Sequence, residues 1–166
     1  HSLDRRQRQM CIRDRANFNV GCADPTANNF SSSCDLNLAC TYDVVFAVDM
    51  NFTTGTTNSV NWAGSSNSWD NAADPMNDDD GDGVYEITLS LAPGTYEYKF
   101  IQNGDWNLAE TFSEAGTCTT PAGGYINRLV TIAGATTLDA VCYGSCDACP
   151  QGCLLYTSDA ADDRVS

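Results

Sequence analysis

"YEYKFIQNGDW", residues 96–106, alternates apolar and polar side chains and then closes on a turn and a tryptophan. In a strand, Tyr96, Tyr98 and Phe100 share one face, while Glu97, Lys99 and Ile101 share the other. The same period of two recurs on both sides of it. "DVVFAVDMNF" (43–52) groups Val44, Phe46, Val48 and Met50, and "VYEITLSL" (84–91) groups Tyr85, Ile87, Leu89 and Leu91 opposite Glu86, Thr88 and Ser90. "INRLVTI" (126–132) and "TLDAVCY" (137–143) are further β-type runs. Gly, Pro, Asn and Asp turns separate these runs, and no window has a helical period. The pattern predicts an all-β chain, an antiparallel two-sheet sandwich.

The chain ends read differently. Five of its eight Lys and Arg residues fall in residues 5–15, and a sixth is Arg164. Residues 5–14, with the first two bases of the next codon, can be written in codons whose reverse complement, read one base in, encodes "CLLYTSDAAD", residues 153–162. Two ends encoded by opposite strands of one DNA string look like a translated sequencing-library adapter of the transposon type. Residues 1–15 and 153–166 are therefore expected to be inert tails outside the fold, leaving residues 16–42 and 43–152 as two modules of an internal fragment. On this reading, any signal peptide and the covalently linked neighbouring domains lie beyond the fragment.

Between residues 16 and 152 stand thirteen Asp and four Glu against only Lys99 and Arg128. So acidic a chain repels phosphate backbones and anionic lipid, which argues against nucleic-acid and membrane partners. The single histidine is His1, so the fragment has none for a triad or a zinc site. Its seven cysteines are Cys22, Cys34, Cys40, Cys118, Cys142, Cys146 and Cys149. With few lysines and much Asn, Thr and Gly, they predict a disulfide-bearing chain that is secreted or held at the cell surface.

Residues 21–42, "GCADPTANNFSSSCDLNLACTY", have no apolar period and are rich in turn formers, as in a small disulfide-stapled loop. The stretch resembles a short cysteine repeat of modular secreted proteins in Bacteroidetes-type bacteria, through Gly21, Cys22, Asp24, Ala27, Asn29, Phe30, Cys40 and Tyr42. The resemblance implies a Cys22–Cys40 pair and a spacer or adhesive role, and Cys34 departs from it. For the remaining cysteines the expected pairs are Cys118–Cys142 and Cys146–Cys149, with Cys34 unassigned.

"VNWAGSSNSWDNAADPM" (60–76), "DGDGVYEITLSLAPGTYEYKFIQNGDW" (80–106) and "GGYINRLVTI" (123–132) follow one another in an order that resembles the glycogen- and starch-binding immunoglobulin-like modules. Such modules occur in branching enzymes and in the β subunit of AMP-activated kinase. The resemblance spans residues 43–142 and implies an immunoglobulin-like sandwich that binds polysaccharide, an α-1,4-linked glucan, without catalysing a reaction. The family's sugar-contacting residues fall on Trp69, Lys99, Trp106 and Asn127. Ser66 stands where the family has phenylalanine, and Trp62 where a smaller residue is usual. The strand parity agrees, turning Lys99 away from Tyr98 and Phe100 toward Trp106. Flat rings bury the apolar face of a sugar, while Lys99 and Asn127 offer polar groups to its hydroxyls. The competing reading is a structural or adhesive sandwich that spaces neighbouring domains, with the tryptophans packed in core or loops; for Trp62, whose strand position can point inward, packing is the favoured reading.

Three other motifs point elsewhere. Asp78, Asp80 and Asp82 have the opening spacing of a calcium-binding EF-hand loop, the one candidate metal site. Position twelve of that pattern is Leu89, however, and an acidic hairpin tip explains the run more simply. "CYGSCDAC" (142–149) has a C-x3-C-x2-C spacing shared with iron–sulfur sites, but in this setting predicts disulfides. Glu86, Glu97, Glu110 and Glu114 supply carboxylates, yet nothing in the sequence pairs two across a glycosidase cleft. No cofactor is expected beyond that calcium candidate.

Overall fold

The period-two runs become strands. A computed structural model describes residues 22–32 and 40–150; Gly21, Cys34 and both adapter-like ends lie outside the described residues. In chain order the strands are β1 (Tyr42–Asp49), β2 (Val60–Gly64), β3 (Asp74–Met76), β4 (Val84–Leu91), β5 (Gly94–Gln102), β6 (Thr119–Ala122), β7 (Tyr125–Ile132), β8 (Thr136–Thr137) and β9 (Val141–Cys142). A single 3-10 turn, Trp106–Leu108, follows β5. Among the described residues no helix is long and apolar enough to cross a membrane.

One sheet is built on β1, which pairs with β4 from Tyr42 opposite Leu91 to Asp49 opposite Val84. Here the structure departs from the expected all-antiparallel pattern. Thr136 and Thr137 of β8 and Val141 and Cys142 of β9 pair with β1 in parallel, because the chain returns from the other sheet and runs beside β1 instead of folding back on it. The second sheet is ordered β3-β2-β5-β7-β6 and is antiparallel throughout. Pro75 and Pro121 lie in its two edge strands, where a missing N–H breaks no ladder and discourages further pairing.

The faces predicted to be apolar meet between the sheets. Val44, Phe46 and Val48 of β1 are completely buried against Val60, Trp62, Tyr98 and Phe100. Phe46 meets Trp62 at 5.5 Å and Tyr98 edge-on at 5.0 Å, while Trp62 and Tyr98 stack at 5.6 Å with 15° between their planes. Trp62 is therefore a core residue, filling space between the layers. Its neighbour two positions on must be glycine. A Cβ on Gly64 would come within 2.5 Å of the Glu97 carbonyl oxygen and 2.6 Å of the Trp62 ring.

At the N-terminal end, Cys22 and Cys40 form a disulfide around a small cluster containing Ala27 and Tyr42. The Tyr42 hydroxyl donates to Asp24 Oδ2 at 2.6 Å, and Asn28 donates to Asp43 and, at 3.0 Å, to Ser90. The loop thus joins the sandwich where β1 and β4 pair. The other cysteines correct the expected pairing: the bonds are Cys118–Cys146 and Cys142–Cys149. The Cys142 N–H donates to the Asp147 carbonyl at 2.8 Å, closing a tight loop that brings the Cα atoms of Cys142 and Cys149 to 4.6 Å. Cys146 lies beside Gly116, within reach of Cys118.

Two expectations follow from the core. Trp62→Ala should cost about 3–5 kcal/mol of stability in urea denaturation, as for other large aromatic truncations. Trp62→Phe should cost less, since it keeps a ring against Tyr98 and removes an indole N–H that has no partner. Burial also pushes the Tyr98 phenol up to about 12. Its contribution to stability should be fully present below about pH 10, the unfolded value, and be lost as pH rises through about 12. Tyrosinate absorbance followed together with circular dichroism checks this, with Tyr98 ionising as the fold is lost.

Candidate functional site

Two loops carry Trp69 and Trp106 to the outer side of the second sheet. The loop after β2 is organised by Asn67, whose Oδ1 accepts from the Gly64 N–H at 2.9 Å and whose amide donates to Asp74 Oδ2 at 2.8 Å. The Trp69 N–H donates to the Gly64 carbonyl at 2.9 Å. These bonds hold Ser68 and Trp69 at φ of 59° and 63°, a left-handed conformation that bulky residues rarely adopt. Ser66, the departure from the resembled pattern, is exposed, and Asn67 does the holding.

The second loop turns at Asn103 and Gly104, both left-handed at φ of 55° and 63°. Asn103 Oδ1 accepts from the N–H groups of Asn58 and Ser59 at 2.8 and 3.2 Å. Asp105 caps the 3-10 turn by accepting from the Asn107 N–H at 2.9 Å. Asn71 of the first loop donates to the Gly104 carbonyl of the second, fastening the two together. The result is a pair of indoles with centroids 6.5 Å apart and planes inclined by 48°. Trp69 is partly exposed and Trp106 is 44% exposed.

The two rings border a cleft of about 650 Å³ whose lining also includes Glu97, Lys99, Tyr125 and Asn127. All four residues named from the sequence thus line one cleft. Lys99 lies on the face opposite Tyr98 and Phe100, as its parity required, but it is not an open, solvated donor. It is 7% exposed, and its ammonium donates to the carbonyls of Glu110 at 2.8 Å and Ile126 at 2.7 Å. Burial pushes its pKa down, against the pull of the Glu110 carboxylate. The reason is the segment 106–110, which folds back over β5, with Ala109 bridging to Ile101. Asn127 is buried, and its amide nitrogen donates to Glu97 Oε2 at 2.9 Å.

Beneath the cleft is an ion pair that the sequence did not reveal. Arg128 Nη2 lies 2.7 Å from Glu110 Oε2, with both side chains almost fully buried. Glu110 Oε1 also accepts from Arg128 Nε at 2.8 Å and the Phe100 N–H at 2.9 Å, and Oε2 from the Gly144 N–H at 3.1 Å. With four donors on its two oxygens, this carboxylate is saturated. Arg128 donates further to the Ser145 carbonyl at 2.9 Å and lies over the rings of Phe100 and Phe112. Tyr143, whose phenol is pushed up by burial, donates to the Leu108 carbonyl from the same corner. Glu110 and Arg128 are eighteen residues apart and on different elements, so no local pattern links them. Tyr125 had a signal, since it shares strand parity with Asn127 two residues on.

Asp78, Asp80 and Asp82 are brought together, with one carboxylate oxygen of each lying within 4.8 Å of the others. Asp78 accepts from the Gly83 N–H at 3.1 Å and Asp82 from the Val84 N–H at 2.8 Å. These carboxylates shape the β3–β4 turn, away from the cleft. Every cysteine of the 142–149 run is in a disulfide.

Residues 47–136, more than half of the chain, match the family model described as the glycogen recognition site of AMP-activated protein kinase. The chain belongs to that family. It is a carbohydrate-binding module, and every residue lining the tryptophan cleft lies within the matched stretch. No match was found among curated proteins.

The module's buried pair gives a direct test. Arg128→Met leaves Glu110 charged and buried without its counter-ion, and should cost about 3–5 kcal/mol in chemical denaturation. Adding Glu110→Gln should recover a substantial part of that loss, because the neutral amide no longer carries an uncompensated charge.

Proposed function

We propose that the module binds an α-1,4-linked glucan in the tryptophan cleft and so holds a larger secreted or cell-surface protein against polysaccharide. The observation carrying this reading is the tilted pair Trp69 and Trp106, 6.5 Å and 48° apart at the mouth of the cleft. Sugar rings stack on such surfaces through their C–H faces. An α-1,4 chain curves from one glucose to the next and meets two inclined planes, whereas a β-1,4 chain is a flat ribbon that suits coplanar rings. Asn127 offers a hydroxyl acceptor, and Lys99 keeps one N–H beyond the two already used.

The charge distribution favours a neutral ligand. Lys99 and Arg128 are the only Lys or Arg among the described residues, and both are buried, while Glu97 borders the cleft. An anionic polysaccharide would meet repulsion with no exposed cation among the described residues to offset it. Three disulfides among the described residues are compatible with an extracellular location.

Affinity electrophoresis in gels containing glycogen, starch or laminarin separates this reading from a purely structural or adhesive module. Retardation by glycogen and starch above that by laminarin is expected, and unretarded migration in all three gels would sink the proposal. Trp69→Ala and Trp106→Ala should each weaken binding by about 2 kcal/mol, roughly thirtyfold, as aromatic hot spots do. Lys99→Met should lower both affinity and stability, because the Glu110 and Ile126 carbonyls lose their shared donor.

A further inference from the structure

Tyr125 is the most exposed large apolar residue among those described, at 71%, yet it lines the same cleft as the tryptophan pair. It opens β7, just after the tight turn at Gly123 and Gly124, both of which have positive φ. In the β6–β7 hairpin it pairs with Ala122, and the other hairpin residues in the cleft lining are the small Ala122 and Gly123 and the buried Asn127. The hairpin's wall is therefore low except for one phenol ring. Two residues along the strand, Asn127 sits on the same face, about 7 Å away at strand spacing. An aromatic ring left this open in water has apolar surface to bury on a ligand.

We infer that Tyr125 is a third sugar-stacking platform, which extends the site beyond the tryptophan pair and makes it selective for longer stretches of glucan. This inference rests on the proposed α-glucan reading. A short oligosaccharide occupies the tilted indoles alone. A longer one continues across Asn127 onto the Tyr125 ring, so affinity rises with chain length until that ring is covered. The ring face is what matters here, not the hydroxyl.

Isothermal titration calorimetry with maltotriose and maltoheptaose tests it on the parent, Tyr125→Ala and Tyr125→Phe. Being exposed, Tyr125 can be changed without disturbing the core, and equal circular dichroism and melting of the three proteins checks this. Tyr125→Ala should lose about tenfold in affinity for maltoheptaose while changing little for maltotriose, and Tyr125→Phe should keep the parent's length dependence. If Tyr125→Ala retains the parent's preference for maltoheptaose, Tyr125 is not a platform and the α-glucan reading stands. If Tyr125→Ala weakens both oligosaccharides equally, the length-selective role is overturned. A parent that binds neither sugar removes the α-glucan reading and this inference with it.

Discussion

The Glu110–Arg128 pair is the contact on which the organisation of this module depends. It joins the end of β5, through the Phe100 N–H, to β7 and to the disulfide-closed loop 142–149. The Glu110 backbone then reaches the other way, accepting from Lys99 under the cleft. One residue thus holds the floor of the tryptophan cleft by its main chain and the far corner of the sandwich by its side chain. Buried charges are costly to desolvate, so such a pair is weak evidence for high stability. Its consequence is geometric: with four donors aimed at Glu110, few other placements of these segments satisfy the charge.

The same economy of cations explains the surface. Among the described residues, both positive side chains are drawn inside, Arg128 to a carboxylate and Lys99 to two carbonyls. What remains outside is acidic or neutral. Recognition on such a surface falls to aromatic faces and to amide and hydroxyl chemistry, the means suited to an uncharged sugar chain. Trp69 and Trp106 are positioned by asparagines, with Asn67 and Asn103 fixing their loops and Asn71 tying one loop to the other. Holding Ser68 and Trp69 at positive φ is affordable only because those bonds over-determine the loop.

Much of the sandwich was legible because a strand alternates its side chains. Val44, Phe46 and Val48 are buried as their period required, and so are Tyr98 and Phe100. What parity cannot report is what covers the opposite face. Lys99 was assigned to the right side of β5, but its burial comes from the segment 106–110 lying over it, a contact between elements. Cys22 pairs with Cys40 as the resemblance implied, but the pairing of Cys118, Cys142, Cys146 and Cys149 was missed for the same reason. Spacing within "CYGSCDAC" favours neighbours as partners, whereas the turn that brings Asp147 back to Cys142 decides which sulfurs meet.

The sequence by itself determined the strand faces and the acidic balance, which follow from local periodicity and composition, and an ordered set of motifs, through the family they resemble, singled out Trp69, Lys99, Trp106 and Asn127, which the fold gathers along one cleft. Only the tertiary structure decided that Lys99 is covered, that Glu110 and Arg128 neutralise each other, that β8 and β9 join β1 in parallel, and that Tyr125 stands at the same cleft. The physical reason is range. Alternation and turn chemistry act over a few residues, but burial, charge pairing and the shape of a cleft are set by segments far apart in the chain, and take form only when the two sheets close on each other.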